Sequence, residues 1–340
     1  MSEYREIQGA AVQSLASSTG TIEGQIWYDN VNGAFKLQSF TAASWASGGN
    51  INTPRSQLAG AGTQTAGLIF GGTPTNNSSP SVTNGAKTEK YDGTAWTNVN
   101  NKNNATRQQS GFGIQTAAVS FGGYRDTPGA YFNGTEEYDG TNWSNGNNYP
   151  TPISNGAGGG TGILTAALNA AGYNGTAYSN VTAEYDGTNW TSGGTYPISA
   201  QNSTQFGTQT AAVGVGGFVD PSSSNMTAHY DGTSWTAVNN MLSPANGNGR
   251  CGTQNDGIIY AGNFPPSSPY SNSSYLYDGT SWTTNPASLS TGRAGGGPAT
   301  SQGSSSGAFL AGGDLSETTT YANTEEFSPA GVVTETITVT

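Results

Sequence analysis

Six short, mostly apolar runs, each closed by a pair of small residues, punctuate the chain: Leu68-Ile69-Phe70 before Gly71-Gly72, Ala118-Val119-Ser120-Phe121 before Gly122-Gly123, Ala167-Leu168-Asn169-Ala170 before Ala171-Gly172, Val213-Gly214-Val215 before Gly216-Gly217, Ile258-Ile259-Tyr260 before Ala261-Gly262, and Phe309-Leu310-Ala311 before Gly312-Gly313. Runs this short, ended by glycine, predict strands buried on both faces, where missing side chains let backbones approach near a crowded axis. Ahead of each lies a small-residue stretch such as Ala59-Gly60-Ala61-Gly62, Gly111-Phe112-Gly113 or Ala294-Gly295-Gly296-Gly297, suited to the tightest strand of the unit. After a loop of variable length a third strand ends in an aromatic, as in Lys90-Tyr91, Glu137-Tyr138, Glu184-Tyr185, His229-Tyr230, Leu276-Tyr277 and Glu326-Phe327.

Five of those aromatics open the motif Tyr-Asp-Gly-Thr-X-Trp: Tyr91, Asp92 and Trp96; Tyr138, Asp139 and Trp143; Tyr185, Asp186 and Trp190; Tyr230, Asp231 and Trp235; Tyr277, Asp278 and Trp282. Asp-Gly between two strand-like runs is a strong hairpin signal, so Trp opens a fourth strand. Successive copies begin 47, 47, 45 and 47 residues apart. A unit of that length cannot bury its apolar face alone and must stack on its neighbours. The pattern predicts an all-β fold, a β-propeller of six four-stranded blades preceded by a short extended leader, with domains at 1–38 and 39–340. Two segments are candidates to complete the last blade, Phe40-Thr41-Ala42-Ala43-Ser44-Trp45 and the alternating stretch from Val332 to Thr340; a seventh, partial blade from Gln25 to Ser47 is the alternative.

Composition sharpens this picture. Charged residues make up 9% of 340, and Gly accounts for 51, but 7 Trp, 17 Tyr and 11 Phe at regular positions argue for order over disorder. A net charge of -11 argues against nucleic acid as a partner. The single Cys251 leaves no intramolecular disulfide, and no run of 18 apolar residues predicts a membrane span.

A small pair, then a Tyr, then a Trp at a fixed later position resembles the kelch repeat from about Ala59 to Phe327, which implies the same propeller fold. The leader, Glu6-Ile7-Gln8-Gly9 to Ser14-Leu15-Ala16-Ser17, then Glu23-Gly24-Gln25-Ile26-Trp27-Tyr28-Asp29-Asn30 and Phe35-Lys36-Leu37, with Gly62-Thr63-Gln64-Thr65-Ala66 after it, resembles virion appendage proteins of marine tailed bacteriophages. That resemblance implies a non-enzymatic structural protein of the virion, made in the host cytoplasm and present as a homo-oligomer on the particle. Its leader would attach to other virion proteins, and its propeller would face a host surface glycan or protein, as in a tail fibre. The alternative is a capsid-decoration or tail-connector subunit with a purely structural role.

Candidate chemistry is sparse. The five Asp residues of the motif would form a ring of carboxylates, but Asp before Gly caps its own turn, and Ca²⁺ needs six or more converging oxygens. The five Trp residues suit sugar stacking, yet their strict register favours packing between blades. His229, the only histidine, reads as a surface substitution, and without a second His or Cys the sequence suggests no metal site, cofactor or nucleophilic catalyst. Glu136 and Glu137, like Glu325 and Glu326, are strand neighbours on opposite faces, which disfavours paired acid-base work. Arg55, Arg107, Arg250 and Arg293 recur ahead of the innermost strand, either to grip an anionic glycan or, preferably, to pair with acids and carbonyls of the repeat. The loops after the small pairs carry Tyr124, Tyr131, Phe132, Tyr173, Tyr178, Phe218, Phe264, Tyr270 and Tyr321 among Asn, Ser, Gly and Pro, a composition suited to binding.

Overall fold

Each of the six apolar runs is a strand in the computed structural model, which describes residues 13–15, 25–74, 84–125, 129–155, 159–265, 270–299, 303–316 and 319–337. Five four-stranded antiparallel sheets follow in chain order. With strands lettered a to d outward from the axis, blade one is Ala59–Thr63, Ala66–Phe70, Thr88–Tyr91 and Trp96–Val99. Blades two to five repeat the pattern, with strand a at Ser110–Ile114, Thr161–Ile163, Thr204–Thr208 and Gly249–Thr253. Blade six takes strands a to c from Gly297–Pro298, Phe309–Ala311 and Thr324–Ser328, and its strand d from far upstream, at Ser44–Gly48. Strand a of each blade lies against strand a of the next, and Gly297–Pro298 lies against Ala59–Thr63, so the six sheets close into a ring. At Gly60 the approach is so close that a β-carbon would overlap the Pro298 carbonyl oxygen.

The Asp-Gly turns explain themselves. In all five, Asp Oδ1 accepts the backbone N–H groups two and three residues ahead, at 2.7–2.8 Å. The following glycine has φ between 91° and 94°, a left-handed conformation costly for any side chain. These bonds hold each exposed Asp carboxyl below its usual pKa.

The apolar core sits between blades. Within a blade Tyr and Trp rings lie 4.7–5.0 Å apart, and each Trp Nε1 donates to a Thr Oγ1 on strand c of the preceding blade: Trp96 to Thr324, Trp143 to Thr88, Trp190 to Thr135, Trp235 to Thr182 and Trp282 to Thr227, at 2.8–3.0 Å. Trp45 takes the stacking part of that role in blade six, with its ring 5.3 Å from Phe327 and 4.9 Å from Tyr260 of blade five, while its buried Nε1 has no hydrogen-bond partner among the described residues. The N-terminal candidate therefore completes the ring.

The second compact unit groups Met1–Ser44 with Pro329–Thr340. Its sheet runs Gln13–Leu15, Ile26–Asp29, Ala34–Thr41 and Gly331–Thr336. Phe40 pairs there with Val332. Of the two candidates for the last blade the C-terminal stretch, through Thr336, pairs in this sheet instead, as do Ile26–Asp29 and Ala34–Thr41 of the alternative seventh blade from Gln25 to Ser47, and the compact units divide at Trp45 and Pro329. Residues 1–12 and 16–24 of the leader, with the motif Glu6 to Gly9, lie outside the described residues.

Candidate functional site

The connections between strands b and c gather on one face of the ring. In blade two the connection is a short hairpin of Tyr124–Arg125 and Ala130–Tyr131. In blade three strands b and c run on as one long hairpin, Ala166–Tyr173 and Tyr178–Tyr185, with Tyr173 opposite Tyr178. Blade four has Phe218–Val219 paired with Ser222–Ser223. These three hairpins bring five of the nine candidate aromatics into one row. Successive centroid distances are 5.2 Å between Tyr124 and Tyr131, 5.4 Å between Tyr131 and Tyr173, 5.4 Å between Tyr173 and Tyr178, and 5.9 Å between Tyr178 and Phe218. Every ring is partly exposed. Most contacts are edge-on, the geometry the ring quadrupole favours.

Arginines mark the blade-two end. The Arg107 guanidinium lies 4.9 Å from the Tyr124 centroid and donates to Gln57 Oε1 at 3.2 Å; Arg125 lies 4.1 Å from the Phe132 centroid. Phe132 lines a cleft of about 240 Å³ together with Asn104, Gly134, Thr135, Asn145 and Asn148. Burial raises the Tyr131 pKa, with Tyr173 and Tyr124 adding to the effect and Arg107 opposing it, so Tyr131 stays uncharged at neutral pH.

The remaining candidates lie elsewhere. Phe264 is 2% exposed, packed with Val215, Met241 and Ile259 between blades four and five, and so is a core residue instead of a displayed one. The Tyr270 carbonyl packs against Gly292 in blade five, while the Tyr321 N–H donates to the Gly313 carbonyl at 2.8 Å in blade six.

The arginine ring dissolves into structural contacts. Arg55 meets Glu89 at 2.7 Å and Arg293 meets Glu325 at 3.1 Å, both pairs buried; Lys102 and Glu136 form a third at 3.4 Å. Arg250 is an axial plug: Nη2 donates to the carbonyls of Gly111, Gly159 and Gly160 at 3.0, 3.2 and 2.7 Å, and Nε to that of Gln205 at 2.9 Å. Burial lowers its pKa to about 10, which leaves it charged at neutral pH.

Two seam elements escaped sequence reasoning. Glu137 accepts from the Tyr185 hydroxyl of the next blade, Glu184 from Tyr230, and Glu326 faces Tyr91. His229 belongs to the same series, its Nε2 2.8 Å from the Tyr277 hydroxyl, and so is a seam residue instead of a surface substitution. Gln64, Gln115, Gln209 and Gln254, in the a–b turns, donate to backbone carbonyls of the preceding blade. The signal was a pairing offset by one period: Leu276 precedes blade six, whose aromatic is Phe327, without a hydroxyl.

The solved structure of YjhT has a similar fold. The TM-score is 0.66 at 15% identity, with 84% of this chain and 99% of that one covered. No protein-family model and no curated protein matches the sequence. Among the described residues no helix is long and apolar enough to cross a membrane.

Proposed function

We propose that this chain is a kelch-like propeller carried on the virion of a tailed bacteriophage, where it recognises a host surface glycan or receptor without catalysing a reaction. In this reading Met1 to about residue 38 joins other virion proteins of a tail fibre or similar appendage, and the b–c face points outward. The observation that carries the reading is the row Tyr124, Tyr131, Tyr173, Tyr178 and Phe218: partly exposed rings aligned across three blades, where the fold itself asks for none. Rigid aromatics bury contact area with little loss of rotamer freedom, and their faces accept the C–H surfaces of sugars. The absence of catalysis is supported by how the acid-base groups are engaged. Glu136 and Glu325 face buried cations, Glu137 and Glu184 face tyrosines, and His229 meets Tyr277.

The test is binding of the purified chain to bacterial cells and to their isolated surface glycans, against a variant with Tyr131 and Tyr178 both changed to Ala. Saturable binding by the wild type, lost in the variant, supports the reading. Absence of binding, with the chain located on the capsid shell or between tail components by imaging, replaces it with the decoration or connector role.

A further inference from the structure

One position per blade follows the small pair: Thr73, Tyr124, Tyr173, Phe218, Asn263 and Asp314. Structurally the six are equivalent, because each bridges the turn that leads into strand a of its own blade, as Arg107 does with Tyr124 and Ala294 with Asp314. Chemically they are not. Where the repeat itself needs a ring, every blade supplies one, and in blade six Trp45 is brought from the other end of the chain to do so. Here three consecutive blades carry aromatics and the other three carry small polar or acidic residues. Tyr131 and Tyr178 fill the gaps between the three, so the rings follow one another in steps of 5.2–5.9 Å around half the rim.

The row is one ring wide and five rings long. A protein partner buries a broad patch, about 800 Å² on each side, which a single line of rings does not offer. A reader of terminal sugars encloses one residue in a pocket, and the neighbouring cleft of about 240 Å³ lies off the row beside Phe132. A pyranose is about as wide as a phenol ring, so a single sugar covers one step of the row and leaves the rest bare. Resting on the recognition reading above, we propose that the ligand is a linear polysaccharide bound as an internal stretch of chain, its successive sugars following the row from Tyr124 through Tyr131, Tyr173 and Tyr178 to Phe218.

The probe is an array of purified bacterial envelope polysaccharides, followed by size-fractionated fragments of the one that binds best. Affinity is expected to climb with fragment length until the row is spanned, and trimming the terminal sugar of the intact polymer leaves it unchanged. Tyr131→Ala and Tyr178→Ala are each expected to weaken binding about tenfold, whereas Tyr321→Ala, on the opposite half of the rim, changes it less than about twofold. Unaltered thermal midpoints confirm that the variants fold. Full affinity for a single terminal sugar, or binding that survives both row variants, overturns the internal-stretch proposal while leaving recognition standing. Failure to bind any polysaccharide or any bacterial cell removes both.

Discussion

The seams between blades and the rim above them obey different rules. At the seams the same groups recur around the ring: Tyr against Trp, indole N–H to threonine hydroxyl, and a glutamine from each of four a–b turns clasping the neighbouring backbone. At the rim, six equivalent positions hold six independent choices, and aromatics cluster on one half. In a repeat protein, residues that recur in every unit answer to stacking. Residues that differ between structurally equivalent positions answer to something else, and under the proposed reading that is the surface offered to a ligand.

Arg250 challenges this division most directly, since it occurs in blade five alone and yet serves the fold. Arg250→Ala strips the donors from buried carbonyls in blades two, three and four. A loss of about 3–5 kcal/mol is expected in urea titrations, and a loss below about 1 kcal/mol would show the axis to be held by other means. Next in size come the seam tryptophans. Trp143→Ala, at a site 6% exposed, is expected to cost about 3–5 kcal/mol. Trp45→Ala should destabilise in the same direction but by less, because that ring is only half-buried. An unchanged melting temperature for Trp45→Ala would contradict its place in blade six.

Alkaline pH probes the seam tyrosines. Burial first, then Glu326 and Glu184, push Tyr91 and Tyr230 up to about 12, and burial does the same to Tyr277. A tyrosine in the unfolded chain ionises near 10. Because the folded values are the higher, the contribution of these groups is complete below pH 10 and disappears as pH rises from 10 to 12. Thermal midpoints should fall across that window, and a Tyr91→Phe, Tyr230→Phe variant should fall less steeply. The smallest effect on stability belongs to the rim: Tyr178→Ala is expected to change unfolding free energy by less than about 1 kcal/mol. A larger loss would move Tyr178 from the proposed recognition surface into the core.

Much of the architecture was legible because the period is nearly constant. The apolar runs, the small pairs and the Asp-Gly turns each depend on neighbours within a few residues, and such signals survive in a linear reading. Ring closure does not. The stretch from Phe40 to Trp45 mimics the repeat's own spacing, but Trp45 stacks on Phe327 while Phe40 pairs with Val332 in another sheet. Both partners come from the far end of the chain. The candidate site was partly legible for the same reason. Composition marked the b–c connections as suited to binding, yet only the three-dimensional arrangement distinguishes Tyr124, which joins the row, from Phe264, which packs into the core with Val215, Met241 and Ile259. His229 was misread because its partner, Tyr277, stands 48 residues away, one blade on.

The upstream origin of the sixth blade's outer strand orders events during synthesis. Ser44–Gly48 leaves the ribosome before any other strand of the ring, and its partner Thr324–Ser328 leaves after all of them. Five blades can dock on one another while translation continues, but an unpaired edge persists until the last one arrives. Once sealed, that early strand and its late partner hold together the first and last parts of the ring, so fraying from either end must first break the same sheet.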